Sequence, residues 1–310
     1  MLFRQLEYFV AVAREKHFAR AAEACYVSQP ALSAAIAKLE RELNVTLINR
    51  GHTYQSLTPE GERLVVWAKR ILAEHDAFKA EAAAVQSGVT GTLRLGAGPT
   101  ASTTAALPVA AFCALHPLAR VQICSRLPTV ELARQLREFE LDAAIAPFPP
   151  GEREGLETVP LYEERYLLLA TADRLTSDAD TMTWAEAAQL PLALLPQGMQ
   201  IRQVIDGAFA AGGVVPHAQV EADSVASLYA HVGAGGWASI VPHTWLRAMP
   251  VIGRMRAVRL VEPEASAQML VGISAVAPGS PVARAFVEVA TGLSLDEFFD
   301  QPLTTEHRIG

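Results

Sequence analysis

"SQPALSAAIAKLEREL", residues 28–43, decides how the first part of the chain folds. Leu32, Ile36, Leu39 and Leu43 recur at the spacing that lines one face of a 3.6-residue helix. The opposite face carries Pro30, Ala34 and Ala37, flanked by Gln29 and Ser33, with no acid before Glu40. Solvated helix faces are usually studded with Glu and Lys. A face kept small, polar and uncharged implies a surface reserved for contact. Ser28 is a good N-cap, and Pro30 falls in the first turn, where its missing N–H costs nothing.

Working outward, residues 3–15 predict an amphipathic helix with Leu6, Phe9, Val10 and Ala13 inward. Residues 18–24, "FARAAEA", predict a shorter one, in which Ala21 and Ala22 are small enough for close helix approach. A turn through Cys25, Tyr26 and Val27 leads into the opening stretch, completing the outline of a helix-turn-helix. Downstream, "VTLINRGHTYQSLT" (45–58) has two β-prone runs flanking Arg50-Gly51-His52, the pattern of a hairpin. Such a wing would bring Arg50, His52 and Thr53 near a DNA backbone.

Thr58-Pro59 then opens a long helix, with a cap, a proline at its first position and Glu60 in its first turn. Leu64, Ala68, Ile71, His75, Phe78, Ala82 and Val85 follow at alternating steps of four and three, a heptad seam. Twenty-nine residues (59–87) at about 1.5 Å each span roughly 43 Å. A helix of that length calls for a partner helix from a second copy, hence a dimer.

"QSGVTGT" (86–92) ends the helix and marks a domain boundary. Beyond it short apolar runs alternate with helical stretches. The runs are "LRLGA" (93–97), "VQICS" (121–125), "AAIAP" (143–147) and "YLLLA" (166–170), with helices at 103–115 and 129–139. A second series has "LALLP" (192–196), helices near 200–211 and 224–234, "ASIVP" (238–242) and "MLVGISA" (269–275). This rhythm predicts two α/β lobes, each a mostly parallel sheet, with a cleft between them.

Composition excludes several classes. Half of the 310 residues are apolar and 19% charged, which is globular. No run of some 18 apolar residues appears, so a membrane span is not expected. The N-terminus lacks the uninterrupted core of a secretory signal, which leaves the cytoplasm as the expected compartment. The net charge is −7, yet residues 1–56 hold seven basic against five acidic side chains, a mildly basic head on an acidic body. Cys25, Cys113 and Cys124 fit no metal spacing; they are either small buried hydrophobes or, for Cys113 and Cys124, a redox pair. No Gly-x-Ser-x-Gly elbow, His-Glu-x-x-His or phosphate loop is present, His231 and His243 lack ligand spacing, and "GAGG" (233–236) precedes a strand. Neither catalysis nor a cofactor or metal is expected.

"LEYFVAVAREKHFARAAEACYVSQPALSAAIAKLERELNVTLINR" followed by "LTPEGE" resembles the LysR-type transcriptional regulators across residues 2–65. "GTLRLGAGPT", "ELARQLREFELDAAIA" and "GAGGWASIVP" match more loosely. The resemblance implies a winged helix-turn-helix head, a dimerising linker helix, and two α/β lobes similar to periplasmic binding proteins. The expected division is residues 1–57 for DNA, 58–88 for the linker, 92–162 with 267–290 for lobe I, 163–266 for lobe II, and 291–310 as a tail. It implies an allosteric regulator of promoter DNA, dimeric or tetrameric, able to meet RNA polymerase. The rival reading is a solute-binding module or enzyme whose head serves only to dimerise.

By this resemblance the face of Gln29, Pro30 and Ser33 enters the major groove, with Ser28, Ala34 and Lys38 beside it. Gln and Ser can hydrogen-bond base edges, and Pro and Ala can touch thymine methyls. Many family members carry Arg and Gln where this chain has Ala34 and Ala35, so base readout there is lost and DNA shape must contribute more. Three expected helix starts offer an effector site: Thr100, Ser102 and Thr103; Thr129; and Gln197, Met199 and Gln200 with Arg202 behind. The resemblance places effector contacts at Thr100, Ser102, Thr129 and Gln197. Free N–H groups at helix starts favour a small carboxylate or other anion.

Overall fold

The computed structural model describes residues 1–50, 54–125, 127–175, 180–249, 251 and 253–301, and of Arg50, Gln86 and Ser87 the backbone only. His52 and Thr53, and the side chain of Arg50, therefore lie outside the described residues. The chain divides into two compact units. One is Met1–Val89 with the short stretches Glu138–Glu140 and Pro278–Pro281; the other is the remainder from Thr90.

The first unit is built from α1 (Phe3–Glu15), α2 (Phe18–Ala24), α3 (Gln29–Leu43), the antiparallel hairpin β1 (Ile48–Arg50) and β2 (Tyr54–Leu57), and α4 (Pro59–Ser87). Leu32, Ile36 and Leu39 are fully buried on α3, in one core with Leu6, Phe9, Val12, Ala21, Ala22 and Leu47. Burying each such aliphatic side chain stabilises the head by about 1.5–3 kcal/mol. Leu43 departs from the expectation and is 39% exposed. It is the last helical residue before Asn44, whose left-handed backbone (φ 51°) turns the chain away.

The start of α4 is held against the hairpin by the residues of "TPEG". Thr58 Oγ1 donates to the Thr46 carbonyl (2.6 Å) and accepts from the Gly61 N–H (2.9 Å). A Cβ on Gly61 would lie 2.1 Å from the Leu47 carbonyl oxygen, so only glycine allows this approach.

The heptad seam of α4 is divided. Leu64 and Ile71 pack on the head core, Ala68 is 2% exposed, and the His75 ring stacks on Phe3 of α1 at 4.0 Å between centroids. Ala68 is thus buried and Leu64, Ile71 and His75 half-buried within the chain, because α1 packs against α4. Phe78, Ala82 and Val85 remain exposed. Trp67, 57% exposed, adds to them from the other half. At separations of eleven and seven residues, Trp67, Phe78 and Val85 fall on one line of the helix.

The second unit runs β3 (Gly91–Ala97), α5 (Ala101–Thr104), α6 (Ala106–Leu115), β4 (Ala119–Cys124), α7 (Thr129–Arg137), β5 (Ala143–Ala146), β6 (Leu156–Thr171), β7 (Thr181–Thr183), α8 (Trp184–Ala187) and β8 (Leu192–Leu194). It continues with α9 (Gln200–Ala211), β9 (Ala218–Glu221), α10 (Val225–Gly233), β10 (Ser239–Pro242), α11 (Trp245–Ala248), β11 (Met255–Val261), β12 (Ser266–Ser274), α12 (Pro281–Thr291) and α13 (Leu295–Asp300). The helix expected over 103–115 is thus two helices, with Pro108 in the first turn of the second.

The sheet order is β4-β3-β5-β12-β6-β11-β7, with β10 also on β6 and a separate parallel pair β8-β9. β3 pairs in parallel with β4 and β5, but β12 is antiparallel to β5 and to β6, and β10 and β11 are antiparallel to β6. The sheet is mixed rather than mostly parallel. The reason is β6, 16 residues long, which pairs with β12 along its first part and with β10 and β11 along its last. One hydrophobic core lies around Tyr166–Ala170, Leu192–Leu195 and Trp245, another around α7 and β5. Among the described residues no helix is long and apolar enough to cross a membrane.

Candidate functional site

Helix propensity and the buried leucine stripe set which face of α3 points outward. Gln29, Pro30, Ala34, Lys38 and Arg41 are exposed there, and Ser33 and Ala37 are half-buried. Ser28 is exposed as well, its hydroxyl accepting from the Ala31 N–H at 3.4 Å as a cap. The nearest anion to Lys38 Nζ is Glu42 Oε1 at 4.0 Å, a loose contact that leaves the ammonium available. Two further residues belong with this face. One is Arg41. The other is Tyr26, 96% exposed in the turn before Ser28 with a left-handed backbone (φ 55°). A large aromatic held outward in a strained turn is a signal only the backbone reveals.

In the second unit, a narrow cleft is lined by Pro99, Thr100, Pro128, Thr129, Pro147, Met199, Gln200 and Ile201. The starts of α7 and α9 both reach it, at Thr129 and Gln200. Thr100, Thr129 and Met199 are therefore brought together as the sequence suggests. Ser102 is not; its hydroxyl donates to the Pro99 carbonyl at 2.8 Å, closing its own turn. Thr103 Oγ1 is buried without a partner and does not line the cleft, and Gln197 is exposed outside it. Arg202 is a clear correction. Its side chain is 3% exposed, with Nε on Asp206 Oδ1 (2.8 Å) and Nη1 on the Leu195 carbonyl (2.6 Å) and Glu221 Oε1 (3.0 Å). Turned inward and neutralised, it is a packing ion pair rather than an anion ligand. Among the described residues, none that lines the cleft carries a charge. Gln200 lines it as the sequence suggests, whereas Ile201 and the three prolines were not singled out, since apolar residues of separate loops share no spacing.

Cys25, Cys113 and Cys124 are all free and half-buried. Among the described residues no group of His, Cys, Asp and Glu is placed to hold a metal ion. The tail, unassigned from sequence, includes α13. Its Asp296 accepts from the Glu163 N–H (2.8 Å), Asp300 pairs with Arg165, and the Phe299 ring lies 5.0 Å from that of Tyr162.

The sequence matches the family described as "Bacterial regulatory helix-turn-helix protein, lysR family" over residues 3–62, and "LysR substrate binding domain" over residues 86–293. The chain belongs to the LysR family. Among LysR relatives it is 32% identical over 292 residues, 93% of this chain and 92% of the other, to a probable hydrogen peroxide-inducible genes activator of Streptomyces viridosporus. A full-length OxyR from Pseudomonas aeruginosa, carrying a cysteine-to-aspartate substitution past its midpoint, is 26% identical with a TM-score of 0.74, covering 95% of this chain and 99% of that one. The LysR regulator CbnR, solved as a full-length complex with its target DNA, is 25% identical with a TM-score of 0.66, covering 94% of this chain and 99% of that one. These likenesses run the length of the molecule, so head and second unit together form a DNA-binding regulator of the LysR type.

Proposed function

We propose that this LysR regulator reads duplex promoter DNA through the outward face of α3. It is switched, in the cytoplasm, by a small carboxylate or inorganic anion held at Thr100, Thr129 and Gln200. The observation that carries the DNA reading is that Gln29, Pro30, Ala34 and Lys38 stand exposed on a face interrupted by no acid before Glu40. Gln29 and Ser33 serve base edges, Pro30 and Ala34 thymine methyls, and Lys38, Arg41 and Tyr26 the phosphate backbone. Arg50, His52 and Thr53 remain the proposed wing contacts. Ala34 and Ala35 offer no hydrogen bonds, so sequence-dependent DNA shape supplies part of the discrimination.

Two heads reading paired half-sites require a second copy, and the exposed line of Trp67, Phe78 and Val85 supports a homodimer or homotetramer through α4. We divide the chain beyond the linker into lobe I, residues 92–162 with 267–290, and lobe II, 163–266; the effector must favour one lobe arrangement to shift DNA binding or contact with RNA polymerase. The names of the relatives speak of hydrogen peroxide. Reversible thiol oxidation by peroxide needs a reactive cysteine, and this chain carries no cysteine beyond Cys124. That favours control by a bound ligand over thiol oxidation in the second lobe.

Footprinting on the DNA upstream of its own gene tests the reading. Protection of paired sites is expected, with the pattern altered by an acid that raises the melting temperature and kept when Cys25, Cys113 and Cys124 are all replaced by Ser. No protection at low ionic strength would return the chain to the solute-binding alternative.

A further inference from the structure

Lys69 follows Ala68 on α4, which is buried in the head core together with Val65. Its ammonium is held by two carboxylates far away in sequence. Nζ donates to Glu138 Oε2 and to Glu140 Oε1, each at 2.6 Å. The Lys69 side chain is 16% exposed and both glutamates are half-buried, so the contact is better shielded than an ordinary surface ion pair. Burial alone lowers the Lys69 pKa, but the hydrogen bonds and charges of Glu138 and Glu140 outweigh it and raise the value, so the ammonium stays charged. All three residues belong to the first unit, although Glu138 and Glu140 come from the turn between α7 and β5.

That turn is fixed on both sides. Phe139, between the two glutamates, has a left-handed backbone (φ 60°), which a bulky residue keeps only where its surroundings impose it. The Leu141 N–H donates back to the Gln135 carbonyl of α7 at 3.2 Å. Asp142 accepts from Arg94 three times, from its N–H (2.7 Å), Nε (2.9 Å) and Nη2 (2.8 Å).

α7 has one end at the effector cleft and the other at this turn. Its first residue, Thr129, lines the cleft, and its last, Arg137, directly precedes Glu138. Leu132, Ala133 and Leu136 are fully buried in one core with Ala144, Ala146 and Phe148. Nine residues of packed helix, about 13 Å long, therefore move as one body.

We propose that Lys69, held by Glu138 and Glu140, is the positioning contact through which the effector cleft and the DNA-reading head act on each other. A ligand at Thr129 that favours one setting of α7 favours one setting of the two carboxylates, and Lys69 passes that preference to α4 and the head core. This rests on the cleft and α3 readings given above. Coupling between two binding sites is reciprocal, so DNA on the head must bias α7 just as a ligand in the cleft biases the head.

DNA is accordingly the probe. Hydrogen exchange is followed on the full-length protein, free and saturated with duplex DNA from upstream of its own gene. The proteins are wild type, Lys69→Met, Lys69→Arg and the double variant Glu138→Gln with Glu140→Gln. DNA is expected to slow exchange of residues 129–141 about fivefold or more in the wild type, the low end of ordinary coupling. That response should vanish in Lys69→Met and in the double variant, and return in Lys69→Arg, which keeps the charge. Slowing within residues 28–43 in all four reports that DNA is bound. A merely structural contact would change exchange of the free protein and leave the DNA-dependent difference intact. No response at 129–141 in the wild type, a response confined to 137–141, or the same response in the charge-removing variants overturns the proposal. Either charge-removing variant decides alone should the other not fold. A wild type that retains no DNA in gel shifts fails the α3 reading, and the coupling falls with it. If the expected pattern appears while sulfate leaves the melting temperature unmoved, the anion reading of the cleft fails and the coupling contact stands.

Discussion

The proposed recognition face of α3 and the proposed effector cleft behave oppositely as objects of inference. The face is continuous in sequence: one stripe of leucine and isoleucine is buried, so the remainder must look outward. The cleft draws from four separate places, at 99–100, 128–129, 147 and 199–201. A site carried by one helix is revealed by periodicity, whereas a site assembled from loops is revealed only by where the sheet sets them down.

The comparison breaks most sharply under pH. Burial raises the folded value of Glu164 from 4.5 to about 8, so its contribution to stability is fully present below pH 4.5 and lost as pH rises through 8. That loss is worth about 5 kcal/mol across the window. Between pH 5 and 8 the wild-type second unit should lose stability more steeply than Glu164→Gln, by thermal unfolding; parallel curves would place the group elsewhere than in a dry interior. Next is Gly61→Ala, which forces a Cβ onto the Leu47 carbonyl. It should cost the head about 3 kcal/mol and carry DNA binding down with it, visible as an earlier head transition in calorimetry.

Ser33→Glu separates recognition from folding. At a half-exposed position on the outward face it should leave the melting temperature unchanged and weaken operator binding at least 100-fold in gel shifts, about 2.7 kcal/mol. Unweakened binding would move the recognition face. The smallest effect belongs to Tyr26→Gly. Relief of its left-handed backbone should raise head stability by up to about 1 kcal/mol, while loss of the exposed ring weakens DNA binding several-fold. A variant that binds as before would reduce Tyr26 to a turn residue.

Much of the fold was legible in the residues. Ser28, Pro30 and the Leu32–Ile36–Leu39 stripe announce α3, and Thr58-Pro59 announces α4. The seam of α4 was a pattern with two explanations. The spacing of Leu64, Ala68, Ile71 and His75 suits a second helix of any origin, and α1 of the same chain supplies it. Arg202 misled: an arginine near a helix start reads as an anion ligand until Asp206 and Glu221 are seen against it. β6 was seen only in part, as "YLLLA", because Pro160 and the charged residues Glu157, Glu163, Glu164 and Arg165 interrupt the apolar run in the rest of its 16 residues.

Local chemistry along the chain was enough to establish the head, its outward face and the linker, because caps, turns and helical periodicity act over a few neighbouring residues. The gathering of Thr100, Thr129 and Gln200, the inward turn of Arg202 and the isolation of Glu164 came from long-range strand pairing. Burial, which governs both charge and access, is a property of what packs from a distance and leaves no trace in the spacing of residues along the chain.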